Sequence, residues 1–63
     1  MTTGYKIKKY RKEKGLTQKE LGLLCGFSVS TADVRIRQYE NNDKVPREEL
    51  LNTIAKALGV NDS

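Results

Sequence analysis

The chain has 63 residues, a formal net charge of +4 and 37% hydrophobic residues, so it is one domain near the lower limit for folding without staples. One cysteine leaves no intramolecular disulfide and no thiolate metal cage, and the lack of any histidine removes the commonest general base and metal ligand. No apolar run approaches the ~20 residues of a membrane span and nothing resembles a signal peptide, so the default is a cytoplasmic protein with no cofactor, no metal and no membrane partner.

In chain order, Met1 to Gly4 reads as a frayed terminus and Tyr5 to Lys14 as the first helix, closed by Gly15. Ile7, Tyr10, Arg11 and Lys14 recur at helical spacing, which puts Arg11 on the apolar side. Either its stem snorkels, or it meets a buried acid, for which Glu40 is the candidate. Thr17 followed three residues later by Glu20 is a capping box that starts a second helix at Gln18, with Leu16 as a hydrophobic staple before it. Leu21, Leu24 and Cys25 fall on one face of that helix, and Cys25 reads as a small core residue. Gly22 in the helix interior costs about 1 kcal/mol against Ala, which close approach of another helix would offset. Gly26 then stops the helix, because only glycine enters the left-handed conformation cheaply.

Phe27 to Ser30 is a short linker. The third helix runs from Thr31 to about Asn41, capped by Ser30 or Thr31, with Asp33 in the first turn where the macrodipole favours an anion. Ala32, Ile36 and Tyr39 or Glu40 share its inner face, and Arg35, Arg37 and Gln38 lie elsewhere. Asn41-Asn42-Asp43 is a turn in which Asn42 can be left-handed. Pro46 marks the next helix start, and Arg47 to Leu58 carries a strong apolar face of Leu50, Leu51, Ile54, Ala55, Ala57 and Leu58, closed by Gly59. Val60 to Ser63 is a stub in which Asn61 or Asp62 could cap a further helix. Two short helices joined by a glycine-containing turn, the second rich in long polar side chains, suggest a helix-turn-helix.

The motifs Arg11-Lys12-Glu13-Lys14-Gly15-Leu16-Thr17-Gln18-Lys19-Glu20-Leu21, Tyr39-Glu40-Asn41-Asn42 with Pro46, and Ile54-Ala55-Lys56-Ala57-Leu58-Gly59-Val60 occur in that order. Together they resemble the phage-repressor (Cro/cI, XRE-type) helix-turn-helix family across nearly the whole chain. The resemblance implies an all-α, compact four-helix, lambda-repressor-like domain over 1–63, with double-stranded DNA as partner and a homodimer on two half-sites. It implies a buried pair between Arg11 and Glu40, a DNA-backbone contact from Gln18, and a recognition helix over 31–41 that supplies Arg35, Arg37 and Gln38. Two departures stand out. The segment between Gly26 and Glu40 is roughly four residues longer than the family spacing, and the family's fifth helix is absent. The second departure fits either the N-terminal part of a longer regulator or an unusually short protein.

Counted back from Glu40, Asp33 and Val34 occupy positions that commonly read bases, though Asp33 serves first as a cap. Arg35 and Gln38 are expected to read guanine and adenine, Arg37 to meet phosphate, and Thr31, Asp33 and Val34 to take over readout otherwise. Lys44 is exposed, facing phosphate or simply solvated. Lysines at 6, 8, 9, 12 and 14 crowd the first helix against the lone acid Glu13, which suits a polyanion or plain solubility. The leading expectation is sequence-specific DNA binding by a transcriptional regulator, most simply a repressor. The alternative is a protein-interaction or antitoxin-like module, hinted at by Leu23 and Leu24 unless Phe27 and Val29 cover them. An enzyme is not expected, because no nucleophile is paired with a base and no phosphate loop is present.

Overall fold

The computed structural model describes residues 3–60. They form four helices and no strand: α1 (Thr3–Glu13), α2 (Gln18–Leu24), α3 (Ala32–Glu40) and α4 (Glu48–Leu58). The possible cap at Asn61 or Asp62 lies outside the described residues.

Helix boundaries follow local chemistry. The Thr17 capping box is complete: the Glu20 amide donates to Thr17 Oγ1 at 3.0 Å and the Thr17 amide donates to Glu20 Oε1 at 2.8 Å. Every helix stops in the same way. Gly15, Gly26, Asn42 and Gly59 are left-handed, with φ of 71°, 92°, 61° and 69°. The amide after each reaches back over the last turn, Leu16 to the Arg11 carbonyl, Phe27 to Gly22, Asp43 to Gln38 and Val60 to Ala55, at 2.9–3.1 Å. Asn42 alone does this without being glycine, and its Oδ1 also accepts from the Gly4 amide at 3.3 Å, tying the start of α1 to the α3–α4 turn.

That tie corrects the reading of the N-terminus. Thr3 and Gly4 are helical, and Gly4 is buried so closely against the end of α3 that a Cβ there would strike the carbonyl oxygens of Tyr39 and Glu40. Glycine's poor helix propensity hid a residue that the C-terminal end of α3 holds in place. Met1 and Thr2 lie outside the described residues.

The core is Ile7, Leu21, Ala32, Ile36, Tyr39, Ile54 and Leu58. Leu21, Ile36, Ile54 and Leu58 are fully buried, each contributing about 1.5–3 kcal/mol. Leu16, Tyr10, Cys25, Phe27 and Leu50 close its edges. The inner face of α3 is as expected, but Leu24 is not on the core face of α2: it is 58% exposed. The reason is Gly22. A Cβ there would lie 2.6 Å from both the Cβ and the carbonyl oxygen of Ala32, so α3 rests on bare backbone at Gly22. This contact turns α2 so that Leu21 and Gly22 face inward and Leu24 swings out.

The long α2–α3 segment adds no new element, and α3 starts at Ala32, one residue after the expected Thr31. It is nevertheless not a free loop. The Ser28 carbonyl accepts from the amides of both Thr31 (3.1 Å) and Ala32 (2.9 Å), which adds a helix-like turn ahead of α3. Neither Ser30 nor Thr31 caps α3 through its side chain; Thr31 Oγ1 instead lies 2.8 Å from Ser28 Oγ. The Val34 amide, which a Thr31 cap would serve, donates instead to the Asp33 carboxylate at 2.8 Å, and the hydroxyls hold one another.

Gly22→Ala tests the backbone contact. Helix propensity alone would favour alanine by about 1 kcal/mol, yet the clash should leave the domain less stable by about 1–3 kcal/mol. Urea unfolding of the two proteins should show the lower midpoint in the variant; an equal or higher midpoint would mean α3 can back away.

Candidate nucleic-acid interface

α3 is presented by a clamp built from three other parts of the chain. Glu40, in its last turn, is buried, and Arg11 of α1 meets it side on: Nε donates to Oε2 at 2.5 Å and Nη2 to Oε1 at 3.2 Å. Arg11 Nη1 donates to the Leu16 carbonyl at 2.8 Å, and the Gln18 side-chain amide donates to Glu40 Oε1 at 3.1 Å. The guanidinium fork matches the carboxylate plane, and no buried side-chain polar atom among the described residues lacks a partner. The expected Arg11–Glu40 pair is therefore present, with Gln18 added to it.

With Ala32, Ile36, Tyr39 and Glu40 turned inward, helix periodicity sends Val34, Arg37 and Gln38 to the opposite side and leaves Asp33 and Arg35 on the flanks. Asp33, Val34 and Arg37 are exposed and Gln38 is half-buried. Asp33 Oδ1 accepts from the Val34 amide at 2.8 Å, so it serves the first turn as expected. Arg35 is exposed but engaged: its guanidinium carbon is 4.5 Å from the Phe27 ring centroid, and Nη2 lies 3.5 Å from the Tyr39 hydroxyl. Thr31 and Lys44 are exposed at the two ends of α3. Gln18 sits at the start of α2, half-buried, with one amide hydrogen bond committed to Glu40.

Phe27 was the participant sequence reasoning missed. Its contact with Arg35 joins the linker to a helix eight positions on, and no local pattern signals that. Phe27 is half-buried against the core, but Val29 is 63% exposed and does not cover Leu23, which is 42% exposed. The expectation that both linker residues lie over the leucines fails because the Ser28 turn directs Phe27 to the core and Arg35. Cys25 is half-buried at the core edge, and burial raises its thiol pKa above the ordinary range.

Among the described residues no group of three or more His, Cys, Asp or Glu could hold a metal ion, and no helix is long and apolar enough to cross a membrane. The fold and the clamp define a class, the all-α helix-turn-helix module whose second motif helix is held from behind and open in front. The helix-turn-helix family model matches residues 7–63, and the chain belongs to this XRE-type helix-turn-helix family of DNA-binding regulatory domains. Neither the curated proteins nor the solved structures yield a match.

Removing either Arg11 or Glu40 strands a buried charge and should cost about 3–5 kcal/mol, while removing both should cost clearly less than the sum. A double-mutant cycle by urea unfolding with Arg11→Met and Glu40→Gln measures this; additive losses would mean the two charges do not sense each other. Cys25 should react with a thiol reagent at neutral pH more slowly in the folded protein than in urea, since burial disfavours the thiolate. Equal rates would show the thiol is fully accessible.

Proposed function

We propose that the domain binds double-stranded DNA sequence-specifically as a cytoplasmic transcriptional regulator, acting as a repressor, with α3 in the major groove. The observation that carries this reading is the division of α3. All of its anchoring residues lie behind it, and the face in front offers Val34, Arg37 and Gln38, with Asp33 at the edge. Such a face supplies an apolar contact for a thymine methyl, a guanidinium fork for guanine and an amide for adenine. Thr31 and Asp33, near the start of α3, extend the reading edge, Asp33 as an acceptor for a cytosine amino group. Gln18 and Lys44 suit phosphate contacts, Gln18 through the amide N–H that Glu40 leaves unused. Spacing alone paired Arg35 with Gln38 on bases and gave Arg37 to phosphate. Position on the helix favours the exchange: Arg37 shares the front ridge with Val34, three residues before it, and Arg35 on the flank faces the groove wall, where the phosphates are. A homodimer on two half-sites suits the family geometry.

Duplex binding should be strongly salt-dependent, since each phosphate contact releases counterions. Gln38→Ala or Arg37→Ala should weaken the preferred site by about 1–3 kcal/mol and relax preference at one base pair, whereas Lys44→Ala should weaken all sequences alike and lower the salt slope by about one. Sites are selected from a random duplex pool and then titrated at several salt concentrations. No binding at low salt, or an affinity flat with salt, would sink the DNA reading.

A second reading, docking of a protein partner, is favoured by Leu23, Leu24 and Val29, which are 42%, 58% and 63% exposed around the end of α2. Leu24→Lys separates the two. DNA affinity should stay within about twofold if α3 is the working face, and a loss of function in the cell without loss of DNA binding would favour a protein partner.

A further inference from the structure

Resting on the DNA reading above, we infer that Phe27 is a positioning residue: its ring holds the Arg35 guanidinium at the flank of α3, ready for a duplex phosphate. Arginine is the most costly kind of side chain to immobilise, because many rotatable bonds must be fixed before its fork meets an acceptor. Here that ordering is done in the free domain. The guanidinium carbon stands 4.5 Å from the Phe27 ring centroid, within the range where a cation is drawn to an aromatic face. Nη2 lies 3.5 Å from the Tyr39 hydroxyl, which limits rotation about the stack. Arg35 stays exposed, so its other N–H groups remain available to an acceptor.

The platform is itself fixed. Phe27 packs on the core edge, and its amide donates to the Gly22 carbonyl at 3.0 Å, which closes α2. The Ser28 turn then carries the chain away toward α3. The lengthened α2–α3 segment thereby acquires a role: it brings an aromatic ring against the recognition helix without changing where that helix begins. A phosphate is the ligand this arrangement fits. It lies on the flank, a position that meets the wall of the groove and not its floor, and a guanidinium edge suits phosphate oxygens.

The test is a binding cycle with Phe27→Leu, which keeps apolar bulk without the ring, Phe27→Tyr, which keeps the ring, Arg35→Gln, and the Phe27→Leu/Arg35→Gln double variant. Each is titrated on the selected duplex and on a scrambled one. Phe27→Leu should weaken both duplexes by the same factor, about two- to tenfold, as expected for re-freeing one long side chain. Phe27→Tyr should bind as wild type, and Phe27→Leu should add nothing once Arg35 is Gln. Arg35→Gln should lower the salt slope by about one without altering base preference. A Phe27→Leu effect that persists in the Arg35→Gln background would overturn the inference, because Phe27 would then act through the fold. Base preference relaxed by Arg35→Gln would overturn the phosphate assignment. If Phe27→Leu does not fold, the wild-type NMR spectrum decides: the Arg35 δ protons should be shifted upfield by the ring current, and unshifted protons overturn the stack. Failure of the inference alone leaves wild-type binding salt-dependent and sensitive to Gln38→Ala, whereas failure of the DNA reading removes both and the inference with them.

Discussion

The fold depends on one buried charge pair. Glu40 sits in the last turn of α3 and cannot stay ionised out of water unless it is matched, and Arg11 matches it with two hydrogen bonds. The remaining Arg11 nitrogen reaches the Leu16 carbonyl, in the turn that leads into α2, and the Gln18 amide completes the carboxylate. The end of α1 and the start of α2 are thus tied to a carboxylate 29 and 22 residues further along the chain. In a chain of 63 residues the apolar core is too small to set angles by bulk alone. The directional bonds around Glu40 supply what the core cannot, namely a defined orientation of α3 relative to α1 and to the first turn of α2.

A second constraint acts at the other end of the same helix. Ala32 presses on Gly22 with no side chain between them, and Gly4 does the same against the carbonyls of Tyr39 and Glu40. These contacts set backbone against backbone, or against the single methyl of Ala32, so they are stiff. α3 is held by a rigid stop at its start and by a rigid stop and the charge pair at its end. Its front face is left to do something other than fold the protein. The apolar side chains that α2 turns outward, Leu23 and Leu24, are the cost of that arrangement.

Much of this was legible in the residues because it is local. The capping box, the helix stops, the inner face of α3 and the left-handed Asn42 are decided within a few positions of themselves. The Arg11–Glu40 pair became legible once Arg11 was seen among apolar neighbours, since a charge there needs a partner. What was not legible depends on three-dimensional approach. Gly4 reads as a poor helix former until the end of α3 is laid across it, and Leu24 reads as core until Gly22 rotates α2. The Ser28 turn and the Phe27 stack on Arg35 belong to a segment with no period to read. For the candidate interface, spacing separated the inner residues of α3 from its outer ones, as the burial of Ala32, Ile36, Tyr39 and Glu40 shows. What spacing does not display is the engagement of Arg35 by Phe27 and Tyr39, contacts made only in the folded chain.

The alternation along α3 has a consequence for how such a domain changes over evolutionary time. Positions 32, 36, 39 and 40 answer to the interior, while positions 33, 34, 37 and 38 answer chiefly to whatever lies outside. Substitutions at Val34 or Arg37 change the outer face without loosening how the helix is held, because both side chains are exposed, whereas Asp33 also serves the Val34 amide and Gln38 is half-buried. One chassis can therefore carry many vocabularies, each reached by single replacements that leave the chain folded at every step. Arg35 is the exception: a lineage that replaces it also idles the aromatic ring beneath it, so that position and Phe27 are expected to drift as a pair.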